Sequence, residues 1–141
     1  MTISIDTNVI AALWDDTDAL NAAAVKGLGS LLKARAKLVV PGPVYAELMA
    51  GPLRTGEAMD LFFEDTGIQV DWTMEEGIWR EAGRAYREYV QRRKRSGGGT
   101  SRRILPDFLI GAHALVRDYS LLTLDGEHYK VAFPEICLLS L

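Results

Sequence analysis

The sequence predicts an α/β protein: a small parallel β-sheet of four to five strands with helices on both faces, an α/β/α sandwich. Three observations lead there. Short runs of three to five apolar, often β-branched residues recur along the chain, bounded by turn residues. Between them lie longer stretches whose apolar residues recur at intervals of three and four, the spacing of one helix face. The two kinds alternate, as they do when crossover helices return each strand to one parallel sheet that is covered on both sides. At 141 residues the chain suits one domain with a real core and is short for two, so a single domain over residues 1–141 is expected.

Ile3 and Ile5, alternating with Thr2 and Ser4, form the first strand, which stops at Asp6. Apolar residues resume at Val9, so the chain turns directly into a short helix to Trp14. Asp15-Asp16-Thr17-Asp18 breaks it, with Thr17 or Asp18 placed to cap a helix from Ala19 to Ala34. Leu38-Val39-Val40 is the second strand. Pro41-Gly42-Pro43 then turns the chain into a helix from Val44 to about Ala50, which carries Glu47 and stops at Gly51-Pro52. A helix over Arg54–Asp65 has Ala58, Leu61 and Phe62 as its apolar stripe, and Ile68-Gln69-Val70 is the third strand.

Thr73 with Glu76 has the form of a capping box and opens a long helix to about Arg95, whose apolar side is Trp79, Ala82, Tyr86 and Tyr89-Val90. Consecutive glycines at Gly97-Gly98-Gly99 end it in what should be a mobile loop. Pro106-Asp107 opens a helix through about Arg117, with Phe108, Ala112 and Leu115 inward. Leu121 to Leu124 is the fourth strand, ending at Asp125-Gly126, and Ile136 to Leu139 the last.

Charge is unevenly spread. The net is −3, yet residues 80–103 hold nine Arg or Lys against two Glu, while the segments on either side are acidic. A polarised field of this kind suits a polyanionic partner, whether RNA, DNA or an acidic protein tail. The single cysteine, Cys137, excludes an intrachain disulfide and sits in an apolar run, so a buried, inert thiol is expected. There is no basic-then-apolar leader pattern and no apolar run of about 18 residues, so the expectation is a cytoplasmic protein with no membrane partner.

Four acids occupy comparable places. Asp6 and Asp125 both end strands, and strands of a parallel sheet end on one edge, where such sheets bind ligands. Asp107 lies in the first turn of a helix leading to the Asp125 strand, and Glu47 lies in an otherwise apolar helical segment. Each has a structural alternative: Asp6 as a helix cap, Asp107 as helix-terminus electrostatics, Asp125-Gly126 as a turn dipeptide, and Glu47 reaching out to solvent. Brought together, four carboxylates repel unless something positive lies between them. A divalent cation such as Mg²⁺ prefers carboxylate oxygens and supplies chemistry on phosphodiesters. Asn8 is placed to orient a carboxylate or a bound water, and Thr123 to do the same near Asp125.

Ile5-Asp6-Thr7-Asn8-Val9-Ile10, Tyr45-Ala46-Glu47-Leu48, Pro106-Asp107-Phe108-Leu109-Ile110-Gly111-Ala112-His113-Ala114 and Leu122-Thr123-Leu124-Asp125 together resemble the signature blocks of PIN domains. More narrowly, they resemble the VapC-type toxins of prokaryotic toxin–antitoxin pairs, in order and over residues 2 to about 139. The resemblance implies a PIN-like fold and a ribonuclease using Mg²⁺ or Mn²⁺, one or two ions, with Asp6, Glu47, Asp107 and Asp125 as catalytic and metal-binding acids. It also implies a homodimer and a small antitoxin partner that covers the active site. Relatives often carry a further acid just after the fourth. Here the local sequence is Asp125-Gly126-Glu127-His128, and Glu127 is the candidate substitute.

Arg92, Arg93, Arg95, Arg102 and Arg103 are the candidate RNA contacts, against the alternatives of a solvated helix face or a grip on an acidic inhibitor. His113 lies nearly opposite Asp107 around its helix, which assigns it to packing or a dimer surface rather than to a metal. His128 is a possible helper near the pocket, and Tyr45 belongs to the core. Two further function classes stay open: a metal-dependent DNA nuclease, and a non-catalytic nucleic-acid-binding or regulatory protein on the same fold.

Overall fold

The computed structural model describes residues 1–97 and 105–141. Its elements run β1 (Thr2–Ile5), α1 (Thr7–Trp14), α2 (Asn21–Lys33), β2 (Lys37–Pro41), α3 (Gly42–Leu48), α4 (Gly56–Thr66), β3 (Gln69–Asp71), α5 (Glu76–Arg95), α6 (Leu105–Arg117), β4 (Ser120–Leu122), α7 (Gly126–Ala132) and β5 (Leu138–Leu139). The order of strands and helices is the one predicted. All pairings are parallel, in one sheet of order β3-β2-β1-β4-β5. Successive strand residues point to opposite faces, and Ile3, Ser4 and Ile5 are all fully buried, so both faces of the central strand are covered. Right-handed crossovers put α1–α4 on one side and α5–α7 on the other.

The core is built from β1, β2 and β4 together with α6, in which every residue from Phe108 to Ala114 is buried. A helix buried all round is a rigid mount. Gly111 allows this: a Cβ there would come within 2.2 Å of the Phe133 ring. Tyr86, Tyr89 and His128 pack their rings on Phe108, at centroid distances of 4.9, 5.4 and 5.1 Å, and lock α5 and α7 to α6.

Several local expectations are corrected. On α4 the buried residues are Met59 and Phe63, and Leu61 is exposed; on α5 they are Ile78, Ala82 and Ala85, and Trp79 is half-exposed. On α4 the buried stripe is rotated by about one residue from the one predicted, whereas on α5 the predicted Ala82, Tyr86 and Tyr89 do face the core and Trp79 gives way to Ile78. The capping box does not form, because Asp71 Oδ1 takes the Thr73 N–H at 3.0 Å and Glu75 becomes the residue that precedes α5. Asp15 and Asp18 accept from Thr17 N and Leu20 N, so they make turns and leave α2 without a side-chain cap. Cys137 is exposed, not buried, because in the edge-strand alternation Ile136 takes the inward place. Of the predicted loop at Ser96-Gly97-Gly98-Gly99, Gly98 and Gly99 lie outside the described residues.

Candidate active site

The strand order reverses its direction of growth between β1 and β4. Chain segments leaving those two strands diverge, and in a parallel sheet this opens a crevice at the C-terminal edge. Asp6 leaves β1 there, and Asp125 follows β4 by three residues. Glu47 arrives on α3, which leaves β2, and Asp107 sits in the first turn of α6. Asp6, Thr7, Asn8, Glu47, Asp107, Asp125 and Tyr129 line one cleft of about 250 Å³.

Hydrogen bonds fix this edge. Asp6 is 6 % exposed. Its backbone N–H donates to Leu122 O at 2.9 Å, joining the end of β1 to that of β4. Its Oδ1 accepts from Thr7 N and its Oδ2 from the Thr123 hydroxyl, both at 2.7 Å. The same Thr123 oxygen accepts from Asp125 N at 3.0 Å. Asn8 Oδ1 accepts from Leu124 N at 3.2 Å. Glu47 is held from the α1 side, its Oε1 accepting from the Thr7 hydroxyl at 2.7 Å. Asp6 therefore is the residue that precedes α1, with Thr7 N on its side chain, and a wall of the cleft as well: the two roles weighed from the sequence coincide.

Burial pushes Asp6 up, the Thr123 hydroxyl, the nearby Tyr129 phenol and the Thr7 N–H pull it back, and the charge of Asp107 pushes it up again; the balance lies above the ordinary aspartate value. Glu47 is also raised, first by burial and then, against the Thr7 hydroxyl, by the charges of Asp107 and Asp6. Tyr129 is 1 % exposed, and burial followed by the charges of Asp6 and Asp107 drives its phenol so far up that it keeps its proton. Among the described residues, no Lys, Arg or His lines this cleft.

Among the described residues, no three acid, histidine or cysteine side chains are drawn together tightly enough to chelate an ion unaided. The donor set still suits a hard divalent cation. It is all oxygen, and the charges of Asp6, Glu47 and Asp107 act on one another. Mg²⁺ keeps several waters and takes only one or two carboxylates directly, so it does not require a tighter cluster.

Glu127 is the correction here. Its side chain is exposed, pairs with Lys130 Nζ at 3.0 Å, and does not line the acidic cleft. Two residues beyond Asp125 on α7, it lies roughly 200° around the helix, whereas Tyr129, four residues on, returns to the Asp125 face. Glu127 lines a second groove of about 430 Å³ with Tyr89, Arg92, Arg93, Ser96, His128 and Val131. Arg92 and Arg93 thus lie in a groove separated from the acids by α7, and Arg95 is exposed at the end of α5. Arg102 and Arg103 lie outside the described residues.

His113 is fully buried, with Nε2 2.9 Å from Asp71 Oδ2, so it packs inside and forms no dimer surface. Tyr45 is half-buried, stacked near Phe63 and donating its hydroxyl to Asp60 at 3.2 Å. Two cleft residues escaped the sequence reading. Thr7 stands directly beside Asp6, and Tyr129 is the i+4 position after Asp125 on the short helical stretch that follows it.

A family model described as the PIN domain matches residues 3–134. The fold is similar to a chain of VapBC2 from Rickettsia felis, solved bound to a DNA fragment from its promoter. There the identity is 17 %, the coverage 99 % of this chain and 98 % of that one, and the TM-score 0.65. VapBC-1 from nontypeable Haemophilus influenzae is similar at 19 % identity, with coverage of 99 % and 98 % and a TM-score of 0.67. A toxin–antitoxin complex from Klebsiella pneumoniae is similar at 16 % identity, with coverage of 95 % and 94 % and a TM-score of 0.62. At such identities the likeness is one of fold. No curated protein matches the chain.

Proposed function

Because the chain belongs to the PIN-domain family, we propose that it is a metal-dependent endoribonuclease, residues 1–141 forming one such domain, and the toxin of a toxin–antitoxin pair. The observation that carries the reading is the cleft itself: four carboxylates at the switch point of a parallel sheet, one of them almost wholly buried.

Asp6, Glu47, Asp107 and Asp125 would hold Mg²⁺ or Mn²⁺, one or two ions. Bound there, the metal supplies activation of water and neutralises charge on the phosphodiester. The rest is the work of the chain. Thr7 N and Thr123 occupy both oxygens of Asp6 and fix its rotamer, and the Thr7 hydroxyl does the same for Glu47. Asp107 is carried by the first turn of α6, and the buried Phe108–Ala114 stretch behind it holds that turn in place. Asn8, by gripping Leu124 N, holds the turn that carries Asp125.

An acidic cleft repels RNA, so a positive neighbour is needed. Arg92 and Arg93 supply it in the adjoining groove, where the rings of Tyr89 and His128 suit unpaired bases. The toxin reading, a small antitoxin covering the cleft and a homodimer are what the family blocks imply, and a cytoplasmic setting is the expectation from the sequence. The Klebsiella pneumoniae neighbour, a toxin–antitoxin complex, supports the partner. No helix among the described residues is long and apolar enough to cross a membrane.

The test is cleavage of matched RNA and DNA strands by the purified chain, free of any partner, in Mg²⁺, in Mn²⁺ and in chelator. RNA cleavage that chelator stops is expected. Cutting of DNA alone would make it a DNA nuclease. No cutting of either, with no Mn²⁺ bound, would make it a non-catalytic member of the fold.

A further inference from the structure

Tyr129 is the one residue of the acidic cleft whose polar atom is buried and makes no hydrogen bond to any described residue. The ring is 1 % exposed and packs beside His128, so the hydroxyl cannot swing out to water. It is aimed at the acids, near enough to feel the charges of Asp6, Asp107 and Glu47, and it approaches Asp6 without reaching hydrogen-bond geometry. A phenylalanine would fill the same space without stranding a donor. A buried hydroxyl left unsatisfied is costly, and such exceptions in a packed interior call for a reason.

We propose that Tyr129 is a positioning residue that completes the donor set around Asp6 when a divalent cation enters the cleft. This rests on the metal-site reading above. Asp6 already spends one lone pair of Oδ1 on Thr7 N and one of Oδ2 on Thr123. Each oxygen keeps another, one for the cation and one for a third donor. Of the side chains lining the cleft, the Thr7 hydroxyl is given to Glu47, and Asn8 turns its amide oxygen to Leu124 N while its amide N–H groups make no hydrogen bond to Asp6 among the described residues. Tyr129 has its proton still to give. The i+4 spacing from Asp125 places that donor on the same face of α7, so one helical turn supplies an acid and the phenol that steadies the acid opposite. Partners of this kind tune ligand orientation, and losing one typically weakens metal binding by about tenfold or more.

The test is Tyr129→Phe in the full chain, with Mn²⁺ as the probe, followed by the paramagnetic resonance of the free ion. Mn²⁺ affinity should fall about tenfold, with thermal stability unchanged or raised. In RNA cleavage kcat should drop while KM holds, because the substrate does not touch the phenol. A purely packing role predicts no change in Mn²⁺ affinity, so a variant within about twofold of the parent overturns the proposal. In the unmutated chain, adding Mg²⁺ should shift the near-ultraviolet tyrosine absorption, and this serves even where the variant folds poorly; no shift overturns the proposal. An unmutated chain that binds no Mn²⁺ at all defeats the metal-site reading, and this one with it. Mn²⁺ binding that is normal and indifferent to Tyr129→Phe defeats this one alone.

Discussion

Thr123→Val isolates the joint between the sheet and the cleft. Valine matches threonine in shape, so no cavity opens, and only the hydroxyl is lost. That oxygen donates to Asp6 Oδ2 at 2.7 Å and accepts from Asp125 N at 3.0 Å, in a residue that is 3 % exposed. A hydrogen bond to a charged group contributes about 1.5–3 kcal/mol. The Asp125 N–H, in a half-buried residue that water reaches, adds about 0.5–1 kcal/mol. Thr123→Val should therefore cost about 2–4 kcal/mol at pH 7, and Thr123→Ser, which keeps the hydroxyl and loses a buried methyl, about 1 kcal/mol. Urea unfolding of both variants, alone and combined with Asp6→Asn, measures the difference and the coupling.

The cost also depends on pH. Only ionised Asp6 needs the donor strongly, so the deficit is full at neutral pH and shrinks as acid protonates Asp6, whose proton affinity is already raised. Thr123→Val no less stable than Thr123→Ser, or coupling to Asp6 below about 0.5 kcal/mol, would refute the reasoning.

Asp6→Asn and Asp107→Asn should each lower RNA cleavage by about 10²-fold or more while leaving the circular dichroism unchanged; near-normal rates in both would remove the acids from the chemistry. Glu47→Gln keeps an acceptor for Thr7 and removes a charge that burial and two neighbouring carboxylates disfavour. A raised carboxyl penalises the fold as pH climbs past its unfolded value, so the variant should be more stable than the parent at pH 7 and lose that advantage at acid pH, as urea midpoints across pH would report. Burial lowers His113 despite the pull of Asp71, so the unfolded chain takes up that proton first, and stability should decline as pH falls below about 6.5. His113→Gln should flatten that part of the profile. Arg92→Ala with Arg93→Ala should weaken RNA binding and reduce its log–log salt slope by about 0.7 for each phosphate that is no longer neutralised; an unchanged slope in filter binding would return both arginines to a solvated helix face.

Sequence carried the elements well where burial is continuous. Ile3, Ile5 and Leu38-Val39-Val40 are covered on both faces, so their apolar runs have no competing interpretation. It carried helix faces less well. On α5, Trp79 and Ile78 each begin an acceptable stripe one position apart, and only packing against the buried Phe108–Ala114 stretch of α6 selects Ile78. Caps failed for a related reason. Asp71, Asp15 and Asp18 each have a choice of N–H groups within two or three residues, and a tight turn won over a helix start in every case.

The acids themselves were legible because a carboxylate at a strand end is a local pattern. Their convergence was not, since it depends on β4 lying beside β1 rather than beyond β3. Nothing local states that order. It is enforced by the Ile3–Ile5 pairing with Ser120–Leu122 and by the Asp6 N–H on Leu122 O. The next residue, Thr123, then has one place to put its hydroxyl: on Asp6, 117 positions away. Sheet register and cleft geometry are thus one set of bonds. The repulsion among Asp6, Glu47 and Asp107 loads the β1–β4 seam, and the Thr123 and Asn8 bonds that resist it are the same bonds that aim the acids. A substitution that loosens the seam should therefore weaken Mn²⁺ binding before it unfolds the chain.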